Sequence, residues 1–250
     1  AVFRKDQLFF KSYGGFMRRI LKTFNHVFVQ DQKSADLLKT IGVDCTLAGD
    51  TRYDRVMTNA AKVQPYPEIE KFINGSKVLV IGSSWGEDEK QFVAYLNSDK
   101  FNWKVIIAPH EIDDGRIQSI ESKFKKSTIR YSQINKDSKN TSILIIDNIG
   151  MLMNVYQYAN VAYVGGAFGK GLHNILEPAC FGLPVIFGNS YEKFNEAFDF
   201  ISNGIGFSIG DPDMFVSVFE DLTKGDMKQQ VLDFMNERRG ASDKIMSIVG

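Results

Sequence analysis

The sequence predicts an α/β protein whose main domain is a doubly wound, Rossmann-like parallel sheet. From about residue 77 onward, short apolar segments rich in β-branched residues alternate with amphipathic segments of helical length. Such nearly continuous apolar strands are typical of parallel sheets that helices cover on both faces. The predicted strands are residues 77–82, 103–109, 143–147, 161–166, 184–188 and 206–210.

The segments between these strands predict the covering helices. The first strand is followed by EDEKQFVAYL (87–96), in which apolar residues recur at helical spacing. Further helices are predicted at about 112–124 and 149–158, and helical sequence also follows each of the last three strands.

The first 60 residues predict a separate βαβ segment. A basic helix runs to about Lys22, and the strand HVFVQ (26–30) follows it, with His26 as a structural residue. Asp31 is the predicted N-cap of the helix over SADLLKTIG, and CTLAG (45–49) is the next strand. Two prolines in 63–67 indicate a linker. The expected domains are therefore 1–60, too short to be complete, and 61–250.

Composition excludes several classes of function. The chain has 30 Lys and Arg against 30 Asp and Glu, so its net charge of zero argues against nucleic acid as a partner. Two cysteines, Cys45 and Cys180, lie in apolar sequence and provide no metal-site spacing, so we expect reduced thiols, no metal and a cytoplasmic location. No apolar run reaches the roughly 18 residues of a spanning helix, and no signal peptide is visible.

The first 22 residues combine basic and aromatic side chains. Two interpretations remain open: the segment lies on an anionic membrane surface, or it is a helix whose apolar face packs inside the protein. The residues concerned are Arg4, Lys5, Lys11, Arg18, Arg19 and Lys22, with Phe3, Phe9, Phe10 and Phe16.

Ligands of open α/β sheets bind beyond the carboxyl ends of the strands, so the loops there are candidate sites. The turn GSSWGEDE (82–89) offers two hydroxyls and free backbone N–H groups, which suit a phosphate or carboxylate. An alternative is a plain capping box, with Ser84 as the cap and Glu87 as its partner. Both interpretations are compatible.

The stretch GGAFGKGLHNILEP (165–178) is the more specific candidate. Its glycines allow close approach of a ligand, and a helix predicted to start near 173–175 would direct its amides into the same space. Glu177 lies on the face of His173 and Asn174, where its carboxylate would accept hydrogen bonds from a ribose diol. Together these features describe a nucleotide site, although Glu177 as a simple helix cap is the alternative. P-loop and strict G-x-G-x-x-G motifs are absent.

The motifs GSSWGEDE, IIAPHE, YANVAYVGGAFGKGLHNILEPACFGLPVIFG and FNEA, in this order, resemble the second half of the bacterial Kdo transferases, and G-x-HN-x-LEP-A is the most specific of them. These enzymes transfer 3-deoxy-D-manno-octulosonate (Kdo) from CMP-Kdo to a lipid A precursor in lipopolysaccharide biosynthesis. The segments FFKSYGGFMRRIL, FNHVFVQDQKSADLLKTIG and AGDTRYDRV look like the end of the family's first domain, so the resemblance covers nearly the whole chain.

The resemblance implies the second, donor-binding domain of a GT-B glycosyltransferase, preceded by a remnant of the acceptor domain. It implies an inverting transferase with no metal or cofactor, peripheral on the cytoplasmic face of the inner membrane. Its catalytic base, a glutamate, is expected in a first domain outside this chain, so that the chain alone binds donor rather than catalyses. The implied donor-binding residues are Ser83, Ser84, Trp85, Pro109, His110, Gly150, Met151, Gly165, Gly166, His173, Asn174, Glu177 and Asn195.

One departure concerns an arginine. The family has Pro-Arg-His where this chain has Ala108-Pro109-His110, and Arg116 is a candidate substitute. The alternatives to a Kdo transferase are another GT-B enzyme that uses a UDP-sugar, either a glycosyltransferase or a 2-epimerase, and a non-catalytic nucleotide-binding α/β domain.

Overall fold

The computed structural model describes residues 1–134 and 136–250, apart from the side chains at 136 and 137. It divides into two compact units, residues 1–58 with 235–250 and residues 59–234. The predicted domains, 1–60 and 61–250, differ from this division mainly at the C-terminus, where residues 235–250 group with the first unit. Their assignment to acceptor and donor domains stays a prediction.

The first unit is a small βαβ arrangement. A 3₁₀ turn at Leu8–Phe10 and helix α1 (Gly15–Leu21) precede β1 (Phe28–Val29), α2 (Gln32–Thr40), β2 (Thr46–Leu47) and α3 (Thr51–Ala60). The strands β1 and β2 pair in parallel. The predicted cap is present, since the Asp31 carboxylate accepts a hydrogen bond of 2.7 Å from the Ser34 N–H.

The C-terminal helix of this unit, Ala241–Val249, is held by Asp54 of α3. The carboxylate oxygens of Asp54 accept hydrogen bonds from the N–H groups of Gly240 and Ser242, both at 2.7 Å. These N–H groups lie at the start of the helix, where no intrahelical acceptor is available. Asp54 therefore caps a helix that is 186 residues away in sequence.

The second unit contains a sheet of seven parallel strands in the order β5-β6-β4-β3-β7-β8-β9. This confirms the predicted doubly wound α/β fold. The strands are β3 (Val78–Ser84), β4 (Lys104–Pro109), β5 (Thr128–Arg130), β6 (Ile143–Ile145), β7 (Val161–Val164), β8 (Val185–Gly188) and β9 (Gly206–Ile209).

The helices of this unit follow the strands as predicted, with shorter bounds in several places. The segment predicted at 149–158 divides into one turn of α-helix and a 3₁₀ turn at Tyr156–Tyr158. The helices are α4 (Pro67–Ile73), α5 (Gly86–Leu96), α6 (Asp114–Glu121), α7 (Leu152–Val155), α8 (Leu176–Ala179), α9 (Asn195–Ser202), α10 (Pro212–Leu222) and α11 (Lys228–Glu237). The C-terminal helix of the first unit, Ala241–Val249, is α12.

Both faces of the sheet are covered. Side chains alternate along a strand, so Leu79 and Ile81 pack on one face with Phe92 of α5, whereas Val78 and Val80 pack on the other. All four of these β3 side chains have no exposed surface. The apolar runs of the sequence thus reflect burial on two sides.

The chain order creates a switch point in the sheet. From β3 the chain moves outward through β4 to β5 and β6, and it then returns to place β7 on the other side of β3. The loops that follow β3 and β7 therefore lead in opposite directions and leave a crevice between them. Among the described residues, no helix is long and apolar enough to cross a membrane.

Candidate functional site

Three loops at the switch point bring together a row of aromatic rings. Trp85 follows β3, His110 follows β4 and His173 follows β7. The centroid of the His110 ring lies 4.4 Å from that of Trp85 and 4.6 Å from that of His173, with interplanar angles of 27° and 30°. Three residues that are far apart in sequence thus form one stacked surface.

Trp85 and His173, which both stack on His110, are also joined to each other, and a cation lies over Trp85. The Trp85 indole N–H donates a hydrogen bond of 3.1 Å to His173 Nε2, and the Lys170 ammonium lies 5.0 Å from the centroid of the Trp85 ring. Burial and the neighbouring His110 lower the pKa of His173, while the carboxylate of Asp88 opposes this shift. His173 is therefore a neutral imidazole at neutral pH.

Asp88 joins the two loops that border the crevice. Its carboxylate is fully buried and accepts hydrogen bonds from Trp85 N–H (2.8 Å), Gly166 N–H (3.0 Å) and the Tyr163 hydroxyl (2.8 Å). Burial raises the pKa of Asp88 even though these three hydrogen bonds lower it. The Asp88 carboxylate thus links α5, β7 and the glycine-rich loop through hydrogen bonds.

Sequence reasoning missed Asp88. The alternative capping box predicted for this turn, with Ser84 as the cap and Glu87 as its partner, is wrong by one residue, because β3 continues through Ser84 and α5 begins at Gly86. Asp88 takes the position three residues after the cap. An acidic residue in a first helical turn is an available signal, but nothing in the sequence shows that this one is buried.

The two predicted serines lie in an unusual stretch of backbone. Ser83 has a φ of +53°, in the left-handed region that side chains other than glycine rarely adopt. The Ser84 hydroxyl is buried and has no hydrogen-bond partner within the described part of the chain. Backbone strain and an unsatisfied buried hydroxyl are both costly, and both are features of binding sites.

The glycines of the loop serve different purposes. A Cβ at Gly165 would lie 2.4 Å from the Ser83 carbonyl oxygen, and one at Gly166 would lie 2.2 Å from the Gly171 carbonyl oxygen. These two glycines are therefore required by close packing of the protein with itself. Around Gly169, by contrast, nothing lies within 4 Å of the Cβ position. The predicted close approach of a ligand fits Gly169 better than Gly165 or Gly166.

Asn174 and Glu177 form a polar pair beside the ring row. The Asn174 amide N–H donates to Glu177 Oε1 at 3.0 Å, and Asn174 Oδ1 accepts from the Leu176 N–H at 3.2 Å. The two residues are therefore in contact, although Asn174 precedes the helix on whose face it was predicted. The helix expected to start near 173–175 begins at Leu176 and has only four residues, so its dipole contributes little. The polar groups at this position are therefore those of the loop and of the Asn174 and Glu177 side chains, rather than the helix terminus.

The remaining predicted residues lie at the same edge of the sheet but differ in how exposed they are. Pro109 is buried at the end of β4, and Met151 is 6% exposed and belongs to the core, so its side chain is largely inaccessible to a ligand. Gly150, just before it, is exposed with a φ of +87°. Asn195 is an exposed first residue of α9, and the adjacent Phe194 ring lies 3.7 Å from the Cβ position of Gly171.

Arg116 has a partner inside the protein. Its guanidinium forms an ion pair with Glu89, a carboxylate that is 1% exposed and that also pairs with Lys123 at 2.5 Å. A buried carboxylate needs such compensation. The structure thus gives the candidate substitute for the family arginine a structural role.

No group of three His, Cys, Asp or Glu side chains with the geometry of a metal site occurs in residues 1–134 and 136–250. Cys180 is buried and its thiol donates a hydrogen bond of 3.1 Å to the Leu176 carbonyl oxygen, Cys45 is partly buried, and the two form no disulfide. The site offers aromatic rings, hydroxyls, a lysine ammonium and the amide–carboxylate pair of Asn174 and Glu177.

No protein-family model matches the chain. Among curated proteins, a bifunctional glycosyltransferase/methyltransferase from Fusobacterium nucleatum is 30% identical over 183 residues, which cover 69% of this chain and 28% of that protein. A 3-deoxy-D-manno-octulosonic acid transferase from Aquifex aeolicus is 24% identical over 232 residues, which cover 91% of this chain and 62% of that protein. One from Rickettsia prowazekii is 27% identical over 187 residues, with coverages of 71% and 40%. The chain thus spans less than two thirds of each relative.

The same relationship is visible in solved structures. The C-terminal CMP-Kdo binding domain of WaaA from Acinetobacter baumannii superposes with a TM-score of 0.59 and 23% identity, covering 74% of this chain and 97% of that domain. Anabaena Alr3699/HepE in complex with UDP matches with a TM-score of 0.55 and 9% identity over 95% of this chain and 68% of that one. These likenesses confirm the predicted GT-B fold.

Proposed function

We propose, from the premise that this chain is a homologue of the Kdo transferases, that it binds the CMP-Kdo donor of such an enzyme at the sheet switch point. The observation that carries the proposal is the convergence of three loops on the row Trp85–His110–His173, beside the Asn174–Glu177 pair. Aromatic rings offer a face for a base, and the carboxylate accepts from a ribose diol.

The polar groups of the site suit the remaining parts of this donor. The buried Ser84 hydroxyl lacks a partner within the described residues, and Lys170 places a positive charge over Trp85. A cation and hydroxyl donors stabilise the negative charge that develops on a departing nucleotide phosphate.

We propose further that the transferred sugar is Kdo, that its acceptor is a lipid A precursor and that the reaction inverts the anomeric centre. These points rest on the family resemblance. The transition state would have oxocarbenium character, with CMP as the leaving group. We assign no catalytic base to residues of this chain, and deprotonation of the acceptor hydroxyl belongs to the family's glutamate.

Calorimetric titration with CMP, UMP and NAD tests this proposal. Wild-type protein should bind CMP in preference to UMP. Removing the carboxylate with Glu177→Ala should weaken CMP binding roughly ten- to hundredfold, since a hydrogen bond to a charged group contributes about 1.5–3 kcal/mol. Glu68→Ala is the matched control, because Glu68 is an exposed carboxylate in the first turn of α4.

The alternatives give different titrations. Preference for UMP would identify a UDP-sugar enzyme of the same fold. If none of the three nucleotides binds although the protein remains folded, a purely structural α/β domain is favoured and the proposal fails. Equal CMP binding by wild type and Glu177→Ala would move the ribose contact to another residue.

We also propose that the first unit makes peripheral contact with an anionic membrane. Phe3 is buried, and Phe9 and Phe10 pack beside it, as the second interpretation of this segment predicts. Tyr13, Phe16 and Phe24, however, are 75%, 66% and 59% exposed. Exposed basic residues accompany them, namely Arg4, Lys5, Arg19 and Lys22. Exposed aromatic and basic side chains together favour a surface of anionic lipid.

Sedimentation with phosphatidylglycerol vesicles tests the membrane contact. Replacing Tyr13, Phe16 and Phe24 with Ser should lower the vesicle partition coefficient at least tenfold, because about 1.5–3 kcal/mol accompanies full burial of one such side chain. Deleting residues 1–22 is unsuitable, since Phe3 and Leu21 belong to the core. Met246→Ser, at an exposed apolar residue of α12, is the control. Equal sedimentation of all variants would refute the contact.

A further inference from the structure

The hydrogen bond inside the ring row fixes the protonation of one imidazole. An indole N–H can only donate, so His173 Nε2, 3.1 Å from Trp85 Nε1, must accept. A neutral imidazole that accepts at Nε2 carries its proton on Nδ1. Protonation of Nε2 would break this bond and place two donors against each other.

The surroundings of His173 determine which edge of the ring remains accessible. The Cδ2 edge faces Gly166, where a Cβ would lie 2.8 Å from Cδ2, and Nε2 faces Trp85. The Nδ1–Cε1 edge therefore points away from both. The described residues provide no hydrogen-bond partner for Nδ1, so its N–H is a donor that the protein leaves unused.

The charged and titratable neighbours favour the neutral ring. His110 from the loop after β4 stacks on His173, and a second imidazole opposes a positive charge there. Asp88 from α5 attracts a proton, but its carboxylate is already engaged by three donors. Lys170 lies over the neighbouring Trp85 ring. The indole hydrogen bond thus acts together with burial and with the stacked His110 imidazole.

We propose that Trp85 is a positioning residue that holds His173 as the neutral Nδ1–H tautomer, so that the imidazole donates one hydrogen bond from Nδ1 to an anionic phosphate oxygen of the bound nucleotide. The ligand part of this inference rests on the proposed function. The tautomer part concerns only residues of this chain. No proton is transferred, since the role of His173 is to donate a hydrogen bond.

Long-range ¹H–¹⁵N NMR of the imidazoles tests the tautomer without any ligand. The chain has only three histidines, His26, His110 and His173, and His173→Gln assigns the relevant signals. Wild-type His173 should show a protonated Nδ1 and a pyridine-like Nε2. In Trp85→Phe, which keeps a ring against His110, that preference should be lost and the pKa of His173 should rise towards its ordinary value.

CMP titration of the same proteins provides a second readout. At pH 7.5, Trp85→Phe should bind CMP about three- to tenfold more weakly, the effect of one misdirected hydrogen bond. The deficit should shrink as the pH falls below about 6, because the doubly protonated imidazole of the variant again donates from Nδ1. A purely structural role for Trp85 predicts a deficit that does not depend on pH.

The outcomes separate this inference from the proposed function. A protonated Nε2 in wild-type His173, measurable even if the variant does not fold, would overturn the inference. So would an unchanged tautomer and pKa in Trp85→Phe. If the NMR result is as expected but wild-type protein does not bind CMP, the proposed function fails. The ligand part of this inference then fails too, whereas the tautomer part stands.

Discussion

Replacement of Asp88 is the most direct test of how the site is held together. In Asp88→Ala, the N–H groups of Trp85 and Gly166 and the Tyr163 hydroxyl all lose their acceptor inside the protein. Each buried donor left unsatisfied costs about 1–3 kcal/mol. Relaxation of the loops, and removal of a buried charge whose pKa is raised by burial, offset part of this sum. We therefore expect a loss of about 3–5 kcal/mol in the free energy of unfolding.

Asp88→Asn should be far milder. The Asn carbonyl oxygen can accept from both N–H groups at the position of Oδ2, and its amide can donate to the Tyr163 oxygen, since a hydroxyl both donates and accepts. We expect a change of about 1 kcal/mol or less, because each hydrogen bond retains a partner. The difference between Ala and Asn isolates the hydrogen bonds from the charge.

Urea unfolding monitored by tryptophan fluorescence measures the stability of the second unit, because both tryptophans of the chain, Trp85 and Trp103, lie in that unit. Asp213→Ala, which removes an exposed carboxylate from the first turn of α10, should change stability by no more than about 0.5 kcal/mol. A loss below about 1 kcal/mol in Asp88→Ala, or equal losses in the Ala and Asn variants, would refute the reasoning.

The acid range provides a second measurement on the same residue. Since the folded-state pKa of Asp88 is raised above its ordinary value of 3.8, the folded protein binds this proton more tightly than the unfolded chain. The contribution of Asp88 to stability should therefore increase as the pH falls through its raised pKa. Asp88→Asn removes this increase, and identical pH profiles for both proteins would contradict the raised pKa.

Two further predictions concern ionic contacts elsewhere. Arg116→Met leaves Glu89 with Lys123 as its remaining ionic partner. We therefore expect urea unfolding to show a loss of about 3 kcal/mol in the free energy of unfolding, with unchanged affinity for CMP. Weakened CMP binding without a loss of stability would instead assign the guanidinium to the ligand. Burial would raise the pKa of Asp54, but hydrogen bonds from Gly240 and Ser242 lower it below its ordinary value, so its contribution is present at neutral pH and is lost as the pH falls through that lowered pKa. Asp54→Asn should therefore be less stable than wild type at pH 7 by about 1 kcal/mol and nearly equal to it in strong acid, as measured by thermal unfolding.

Sequence reasoning succeeded for features that depend on local pattern. Strands buried on both faces must be apolar throughout, so β3, β4, β6, β7, β8 and β9 are visible as short apolar runs. The edge strand β5 (Thr128–Arg130) was not predicted, because its three residues are only partly buried and carry no apolar run. The Asp31 cap and the Asn174–Glu177 pair were predictable for the same local reason, since their partners lie within three residues.

Only the tertiary structure decided how distant residues combine. Trp85, His110 and His173 were each predicted, but their stacking depends on the strand order, which places the loops after β4, β3 and β7 side by side. The burial of Asp88 and the ion pair of Arg116 with Glu89 depend likewise on packing between elements. A sequence determines which groups are available, because chemistry belongs to the residue. Which groups meet, and in which protonation state, is determined by the fold, because distance and burial arise only when the strands assemble.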